Sequence, residues 1–290
     1  MRNLYDIFTP EAMHEHGNTQ MEIAYESIRD GDRSIAINHI QKLLLDELIK
    51  LPNDVKDMSL FRFVGISKEN ALQALLRDIE KNQITLCDPS GFNDPMDPIL
   101  NVWAKLNRHR GEDSYECKLS TLLKNSLNNF RMCCLSSQKN GLIPYCNPLM
   151  WAHYADKHQG ICIKYHINEI DVKSYCNSQS VLKIGSVRYR NHKTMSDYIT
   201  LDNALLAKSE VWEYEHEYRL IYYQTGKIKE ETKGYLSLPN FKVEAVYFGY
   251  NIDKHNLKML KEVCRRNHIP IFQMQFEMAD ITKLKAEKIE

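Results

Sequence analysis

Strand-like and helix-like patterns follow one another irregularly along this chain of 290 residues, and that order limits its possible folds most. A doubly wound parallel sheet requires regular alternation of strands and helices, which is missing here. The patterns therefore predict an α+β fold with a mixed or antiparallel central sheet and flanking helices. The predicted strands are 60–64, 84–87, 131–135, 160–166, 181–190, 218–223, 243–248 and 269–276. Two helices are predicted at about 115–128 and 253–267, a third is capped by Ser67 and has Leu72, Leu75, Leu76 and Ile79 on its apolar face, and a fourth, rich in Leu201, Leu205 and Leu206, precedes Trp212.

The first part of the chain has a different pattern. Two amphipathic helices are predicted before Pro52, separated by the turn Asp30-Gly31-Asp32. We therefore expect a helical hairpin within an N-terminal appendage, 1–57, followed by an α+β domain, 58–290. The appendage is the expected surface for a protein partner.

Composition excludes several classes of protein. Lys plus Arg and Asp plus Glu both total 38, and this balance argues against a broad basic surface for nucleic acid. No apolar run approaches the roughly 20 residues of a membrane helix, and the first residues lack the apolar run of a signal peptide. We expect a cytoplasmic protein without membrane contact. The glycine-rich phosphate loops and the HExxH and GxSxG motifs are missing.

Four metal-binding residue types are grouped in the middle of the chain. Cys146, His153, His158 and Cys162 are separated by seven, five and four positions. These are not the usual zinc spacings and no CxxC accompanies them, so no metal site is predicted, with structural zinc as the alternative.

Two polar segments are candidates for ligand binding. Asn93, Asp94 and Asp97 follow a predicted strand in a turn-rich segment, where they either face a pocket or cap the turn itself. In the second segment Trp151 and Tyr154 share a helical face beside His153. Such aromatic rings either stack on a planar ligand or pack the helix on the sheet.

The third segment carries the sharpest chemical signal. Alternation along a strand predicts that Glu215, Glu217 and Arg219 point to one side. Two adjacent carboxylates repel each other unless a cation or a positive reaction centre compensates, and Arg219 can neutralise one of them. The alternative is a salt-bridged strand edge.

These segments together resemble a bacterial family of unknown function, number 2971. The likeness spans about residues 60–276 and rests on a short aromatic-basic strand and three ordered boxes. The strand is LFRFVGIS, and the three boxes are FNDPMD, MWAHYADKHQGICIKY and WEYEHEYRLI.

The chain also resembles, more distantly, the ADP-ribosyltransferase fold. Arg62 matches the basic residue of that fold's first strand, Ser136-Ser137 its polar middle element, and Glu215-x-Glu217 its final element; the usual Ser-Thr-Ser pattern is missing. The resemblance implies NAD as substrate and an unknown acceptor. It also suggests a role as a bacterial toxin or phage-defence effector.

The resemblance further implies roles for individual residues. Glu217 would stabilise the oxocarbenium ion, Glu215 would orient the acceptor, and Arg62 would hold a phosphate or ribose. The nicotinamide would stack on Tyr154 or Trp151. The remaining residues expected to contact NAD are His153, Ser136, Asn93, Asp94 and Arg219.

Two other functions remain open at this point. Asp94, Asp97, Glu215 and Glu217 provide the hard oxygen ligands of a Mg²⁺- or Mn²⁺-dependent phosphodiesterase or nuclease. Alternatively, the protein is a non-catalytic sensor or interaction module in which these segments are structural corners.

Overall fold

A computed structural model describes residues 19–55, 57–92, 94, 97, 121, 128–191, 201–226, 235–278 and 280–289. A large mixed sheet with helices around it occupies most of this part of the chain. The strands are β1 (Asp57–Val64), β2 (Ile84–Cys87), β3 (Phe130–Ser136), β4 (Ile161–Asn168), β5 (Ser180–Ser186), β6 (Arg188–Arg190), β7 (Ala207–Ser209), β8 (Glu217–Gln224), β9 (Tyr235–Leu238), β10 (Lys242–Phe248), β11 (Ile271–Glu277) and β12 (Asp280–Lys288). The helices are α1 (Thr19–Asp30), α2 (Arg33–Lys50), α3 (Glu69–Lys81), α4 (Pro148–Tyr154), α5 (Glu169–Lys173), α6 (Leu201–Leu206) and α7 (Lys254–Arg266).

The central sheet has the strand order β12-β11-β10-β4-β1-β3-β2-β9, with β8 on β3 and β5 on β8. Its strand pairs are antiparallel except β10 with β11, while β6 and β7 form a separate parallel pair. This arrangement confirms a mixed, largely antiparallel central sheet with flanking helices. One expected strand, 181–190, is wrong in detail because Val187 separates β5 from β6. The expected helix 115–128 lies almost wholly outside the described residues.

Helices cover both faces of the sheet. On one face, α2 buries Ile40 and Leu44 in a cluster with Phe130 of β3 and Ile221 of β8. On the other face, α3 has an apolar stripe that includes Leu75 and packs on β1 and β3. The N-terminal helices thus share a core with the sheet, and the division at residue 57 stays a prediction. None of the described helices is long and apolar enough to span a membrane.

The sheet opens along one edge of β3. There β1 pairs with β3 at Phe61–Ser136 and β2 pairs with β3 at Cys87–Met132, each through a single residue pair. Between these two contacts, residues 133–135 of β3 face a gap between the diverging strands. Successive residues of an antiparallel strand direct their backbone polar groups to opposite edges, so at least one of these three residues presents N–H and C=O toward the gap.

Candidate active site

A cavity of about 550 Å³ lies at the gap beside β3. This volume is within the range of about 300–1,000 Å³ that is usual for small-molecule sites. Seven of the residues that the sequence singles out as site candidates line it: Arg62, Asp97, Ser136, His153, Tyr154, Glu215 and Glu217. Lys208 lines it as well.

Glu217 and Arg219 form a buried ion pair beside this cavity. They are two positions apart on β8, so they share a face of the sheet. Nε of Arg219 donates to Oε1 of Glu217 over 2.7 Å, and the two residues are 3% and 0% exposed. Nη2 of Arg219 also donates to Oδ2 of Asp97 over 2.7 Å, and Nη1 donates to the backbone carbonyl of Leu205 over 2.6 Å. Arg219 is therefore held by partners on two sides and does not itself line the cavity.

Lys208 of β7 joins the carboxylates together. Its Nζ donates to Oε2 of Glu215 over 2.6 Å and to Oε2 of Glu217 over 3.1 Å, and it lies 3.6 Å from Oδ2 of Asp97. We call Asp97, Lys208, Glu215, Glu217 and Arg219 the buried network. It contains three carboxylates and two cations, so one negative charge is uncompensated when all five side chains are ionised.

Glu215 reaches the buried network by a route that differs from the sequence expectation. It does not lie on the strand with Glu217, because it ends a 3₁₀ helix, Glu210–Glu215. His216 between them has φ +44°, a left-handed conformation that turns the chain sharply. The kink interrupts strand alternation, yet it brings Glu215 and Glu217 into contact with the same cation, Lys208. Tyr154 donates its hydroxyl hydrogen bond to the other oxygen of Glu215.

The buried network separates the pKa values of its carboxyl groups. Burial alone would raise the pKa of Glu217, but Arg219 and Lys208 outweigh it and lower the pKa to about 2. Burial and the charge of Glu217 raise the pKa of Glu215, and the same two causes raise the pKa of Asp97. A carboxylate that stays ionised therefore lies beside carboxyl groups that hold protons more readily, an arrangement found in acid–base sites.

Positive charge lines another part of the cavity. Arg62 points from β1 toward α3, where Nη1 lies 3.4 Å from Oδ2 of the buried Asp78. Asp78 is itself fixed by hydrogen bonds from Thr85 and Gln83. The cavity is also lined by Lys68, which is exposed to solvent just before α3. A ligand in the cavity therefore meets carboxylates in one part and cations in another.

Helix α4 carries aromatic side chains to the cavity. Asn147 caps it by accepting a hydrogen bond from the backbone N–H of Leu149, and its last residues, His153 and Tyr154, line the cavity. Trp151 does not. Its indole N–H donates to the carbonyl of Tyr145 over 2.8 Å, and its fully buried ring packs edge-on against Phe63. The expectation that nicotinamide stacks on Trp151 is therefore wrong, because this ring anchors the helix.

The turn-rich segment after β2 reaches the site through only one of its candidates. Asp97 is buried in the network, whereas Asp94 is half-buried and does not line the cavity. The backbone carbonyl of Asp94 accepts the N–H of Asp97, so Asp94 helps to shape the turn. The expectation that Asp94 contacts the ligand is not supported by its position, and Asn93 lies outside the described residues.

The expected Cys/His group is dispersed. Cys162 is buried in β4, and the ring of His158 stacks near Trp151, while His153 packs against Trp212. Among the residues that the structure describes, no group of three His, Cys, Asp or Glu side chains is arranged to hold a metal ion. Three of the four carboxylates proposed as Mg²⁺ ligands, Asp97, Glu215 and Glu217, instead contact Lys208 or Arg219.

Lys208 was missed by sequence reasoning, and so was the contact between Asp97 and Arg219. Lys208 lies on a three-residue strand that has no distinctive pattern, and Asp97 meets Arg219 across 122 positions of the chain. One signal was available: the excess of carboxylates near residue 215 called for a further cation within reach. Nothing in a single sequence identified which lysine would supply it.

Comparison with known proteins gives a short result. No curated protein and no solved structure matches this chain. A protein-family model matches residues 150–220, which include α4, Lys208, Glu215, Glu217 and Arg219 but not the FNDPMD segment. The likeness inferred from the Trp151 and Trp212 boxes is thus confirmed over this segment, which matches the family described as "Protein of unknown function (DUF2971)".

Proposed function

We propose that this protein cleaves the nicotinamide–ribose bond of NAD, either transferring ADP-ribose to an acceptor or hydrolysing NAD. The observation that carries the proposal is the charge distribution of the cavity: buried carboxylates in excess over their cations in one part, and Arg62 with Lys68 in another. NAD combines a cationic nicotinamide riboside with an anionic pyrophosphate. Its two halves therefore complement the two parts of the cavity.

The opening of the sheet supports the same proposal. A cavity between diverging strands, with a basic residue on β1 and carboxylates at the start of β8, agrees with an ADP-ribosyltransferase-like fold. The rings of Tyr154 and His153 lie in the lining and can stack on nicotinamide in place of Trp151. Ser136, the last residue of β3, adds a hydroxyl group to the lining.

The carboxylates have different parts in the proposed reaction. Glu217, kept ionised by Arg219 and Lys208, stabilises the oxocarbenium ion as the C–N bond breaks and nicotinamide leaves with the electron pair. An acceptor hydroxyl, or water, forms the new C–O bond and gives its proton to Glu215. The raised pKa of Glu215 suits a general base that works near neutral pH.

Glu215→Gln is the variant that tests this function. Glutamine keeps the shape of the side chain and can accept from Lys208, but it cannot take the acceptor's proton. We expect nicotinamide release from NAD, measured by chromatography with and without bacterial lysate as a source of acceptors, to fall at least about hundredfold. The matched control is Glu244→Gln, which changes a half-buried carboxylate on β10 outside the cavity lining, and it should keep the wild-type rate.

Two results would contradict the proposal. One is a wild-type protein that releases no nicotinamide under either condition, and the other is a Glu215→Gln variant with unchanged turnover. Glu217→Gln is a poorer test than Glu215→Gln, because Glu217 is buried against two cations and its loss also destabilises the fold. A role as a toxin or phage-defence effector, acting by NAD consumption, stays part of the proposal.

A further inference from the structure

One carboxylate oxygen of Asp97 has no hydrogen-bond partner among the residues that the structure describes. In the buried network, both oxygens of Glu215 and both oxygens of Glu217 accept hydrogen bonds, as does Oδ2 of Asp97. Oδ1 of Asp97 is fully buried and has no hydrogen-bond partner in the described structure. Asp97 is 6% exposed and lines the cavity.

An unsatisfied buried acceptor of this kind is unfavourable and calls for a donor. Buried polar atoms in folded proteins are nearly always hydrogen-bonded, and an exception in a residue that lines a cavity points to a ligand or an ordered water. Because Oδ2 accepts from Arg219, the carboxyl group of Asp97 is fixed in orientation. Its second oxygen is therefore held in the wall of the cavity, next to the space that a ligand would fill.

The surroundings of Asp97 favour a neutral donor. Nη2 of Arg219 lies 2.7 Å from Oδ2 and Nζ of Lys208 lies 3.6 Å from it, so a further cation at this carboxylate would be repelled. A hydroxyl carries no charge and both donates and accepts, so it pairs with Asp97 whether the carboxyl group is ionised or protonated. The ring of Phe92 also lines the cavity and packs near Arg219, which gives an apolar surface beside the acceptor. Sugars combine hydroxyl groups with apolar C–H faces.

We infer that Oδ1 of Asp97 accepts a hydrogen bond from a hydroxyl of the ribose that carries the leaving group, so that Asp97 selects for a ribosylated diphosphate. This inference rests on the proposed function, since it takes NAD as the ligand. It adds a specificity-determining residue that acts beside Glu217. Glu217, whose oxygens are already occupied, supplies charge, and Asp97 recognises the sugar.

The experiment compares binding of ADP-ribose and ADP by calorimetry, because the two probes share the ADP portion and differ at its terminal phosphate, which carries the second ribose in ADP-ribose and is a free, more highly charged group in ADP. Wild-type protein should bind ADP-ribose more tightly than ADP. In Asp97→Ala this preference should fall about tenfold or more, since a charge-assisted hydrogen bond is lost, while the affinity for ADP stays nearly the same. Asp57→Ala, which removes a largely exposed carboxylate from the start of β1, is the control and should keep the preference.

The possible results are separable. If Asp97→Ala keeps the full preference for ADP-ribose, or wild type has none, the role of Asp97 is refuted while NAD cleavage can stand on its own assay. If wild type binds neither probe and releases no nicotinamide, both proposals fail. Asp97→Asn replaces the alanine variant if that protein does not fold. Its amide oxygen turns toward Arg219 and its NH₂ faces the cavity, so the preference should again fall, by a smaller factor.

Discussion

Two clusters of carboxylates and cations in this protein have similar geometry and very different surroundings. The first is the buried network beside the cavity. The second, which we call the exposed cluster, consists of Asp57, Ser59, Lys164, His166 and Glu244 on three adjacent strands, β1, β4 and β10. Nζ of Lys164 lies 2.9 Å from Oε2 of Glu244, much as Nζ of Lys208 lies 3.1 Å from Oε2 of Glu217. The side chains of the first pair are 32% and 25% exposed, and those of the second 7% and 3%.

This difference in exposure determines what each cluster can do. In the exposed cluster, Ser59 and Lys164 lower the pKa of Glu244 although burial opposes them, and water remains available to every charge. In the buried network, desolvation and the crowding of like charges also raise the pKa of Glu215 and of Asp97. Ion-pair distances alone therefore do not identify a site. Short ion-pair distances indicate a site when they occur together with burial, an uncompensated charge and an adjoining cavity.

The largest predicted difference concerns Arg219. Arg219→Met leaves the carboxylates of Glu217 and Asp97 buried with Lys208 as their remaining cation, and we expect the free energy of unfolding to fall by about 3–5 kcal/mol. The matched control is Arg188→Met, because Nη2 of Arg188 pairs with Oδ2 of Asp202 over 2.7 Å at 32% side-chain exposure. That variant should lose less than about 1 kcal/mol in urea denaturation. Equal losses would show that burial does not distinguish these ion pairs.

Acid titration tests the effect of burial at a single carboxylate, that of Glu217. Arg219 and Lys208 outweigh burial and lower the pKa of Glu217 from 4.5 to about 2. Between these pH values the unfolded chain binds a proton that the folded protein excludes, so the stability from Glu217 is complete above pH 4.5 and is lost as the pH falls toward 2. The stability gap between wild type and Glu217→Gln should therefore shrink by about 3 kcal/mol over that interval.

Denaturant unfolding at several pH values measures this gap. Asp97 and Glu215 titrate in both proteins, but the charge of Glu217 raises the pKa of each, so the difference includes their response to the loss of Glu217. Glu244→Gln is the control and should show a smaller change in the same direction, because its carboxylate is less buried and the pKa of Glu244 is also lowered. A gap for Glu217→Gln that is independent of pH would contradict the assignment of its lowered pKa.

Local sequence patterns predicted the position of some residues in the buried network and the cavity lining, whereas tertiary contacts determined the position of the others. Two-residue alternation placed Glu217 and Arg219 on one face of β8, because strand periodicity depends on neighbouring residues alone. The same rule failed for Glu215, since the left-handed His216 interrupts the strand. Helical spacing grouped Trp151 with Tyr154, but it could not show that the sheet buries one ring and the cavity receives the other.

The contacts that complete the site depend on distant parts of the chain. Asp97 reaches Arg219 because the segment after β2 folds back over β8, and no local pattern encodes that return. Arg62 was predicted as a ligand-binding residue from the resemblance to the ADP-ribosyltransferase fold. Its partner Asp78 became evident only when α3 was seen packed on β1. Single-sequence reasoning therefore finds the elements and individual polar residues better than their pairing.

The smallest predicted effect belongs to the exposed cluster. Lys164→Met removes a cation from Glu244, whose carboxylate keeps the hydroxyl of Ser59 at 2.7 Å and access to water. We expect a loss of about 0.2–1 kcal/mol that shrinks further in 1 M salt, since exposed charges are screened. The matched change in the buried network, Lys208→Met, leaves Glu215 and Glu217 without their shared cation and should cost several times more at either salt concentration. If salt weakened both variants' effects equally, solvent would reach the cavity charges freely, and the excess negative charge proposed to stabilise an oxocarbenium ion would be screened as well.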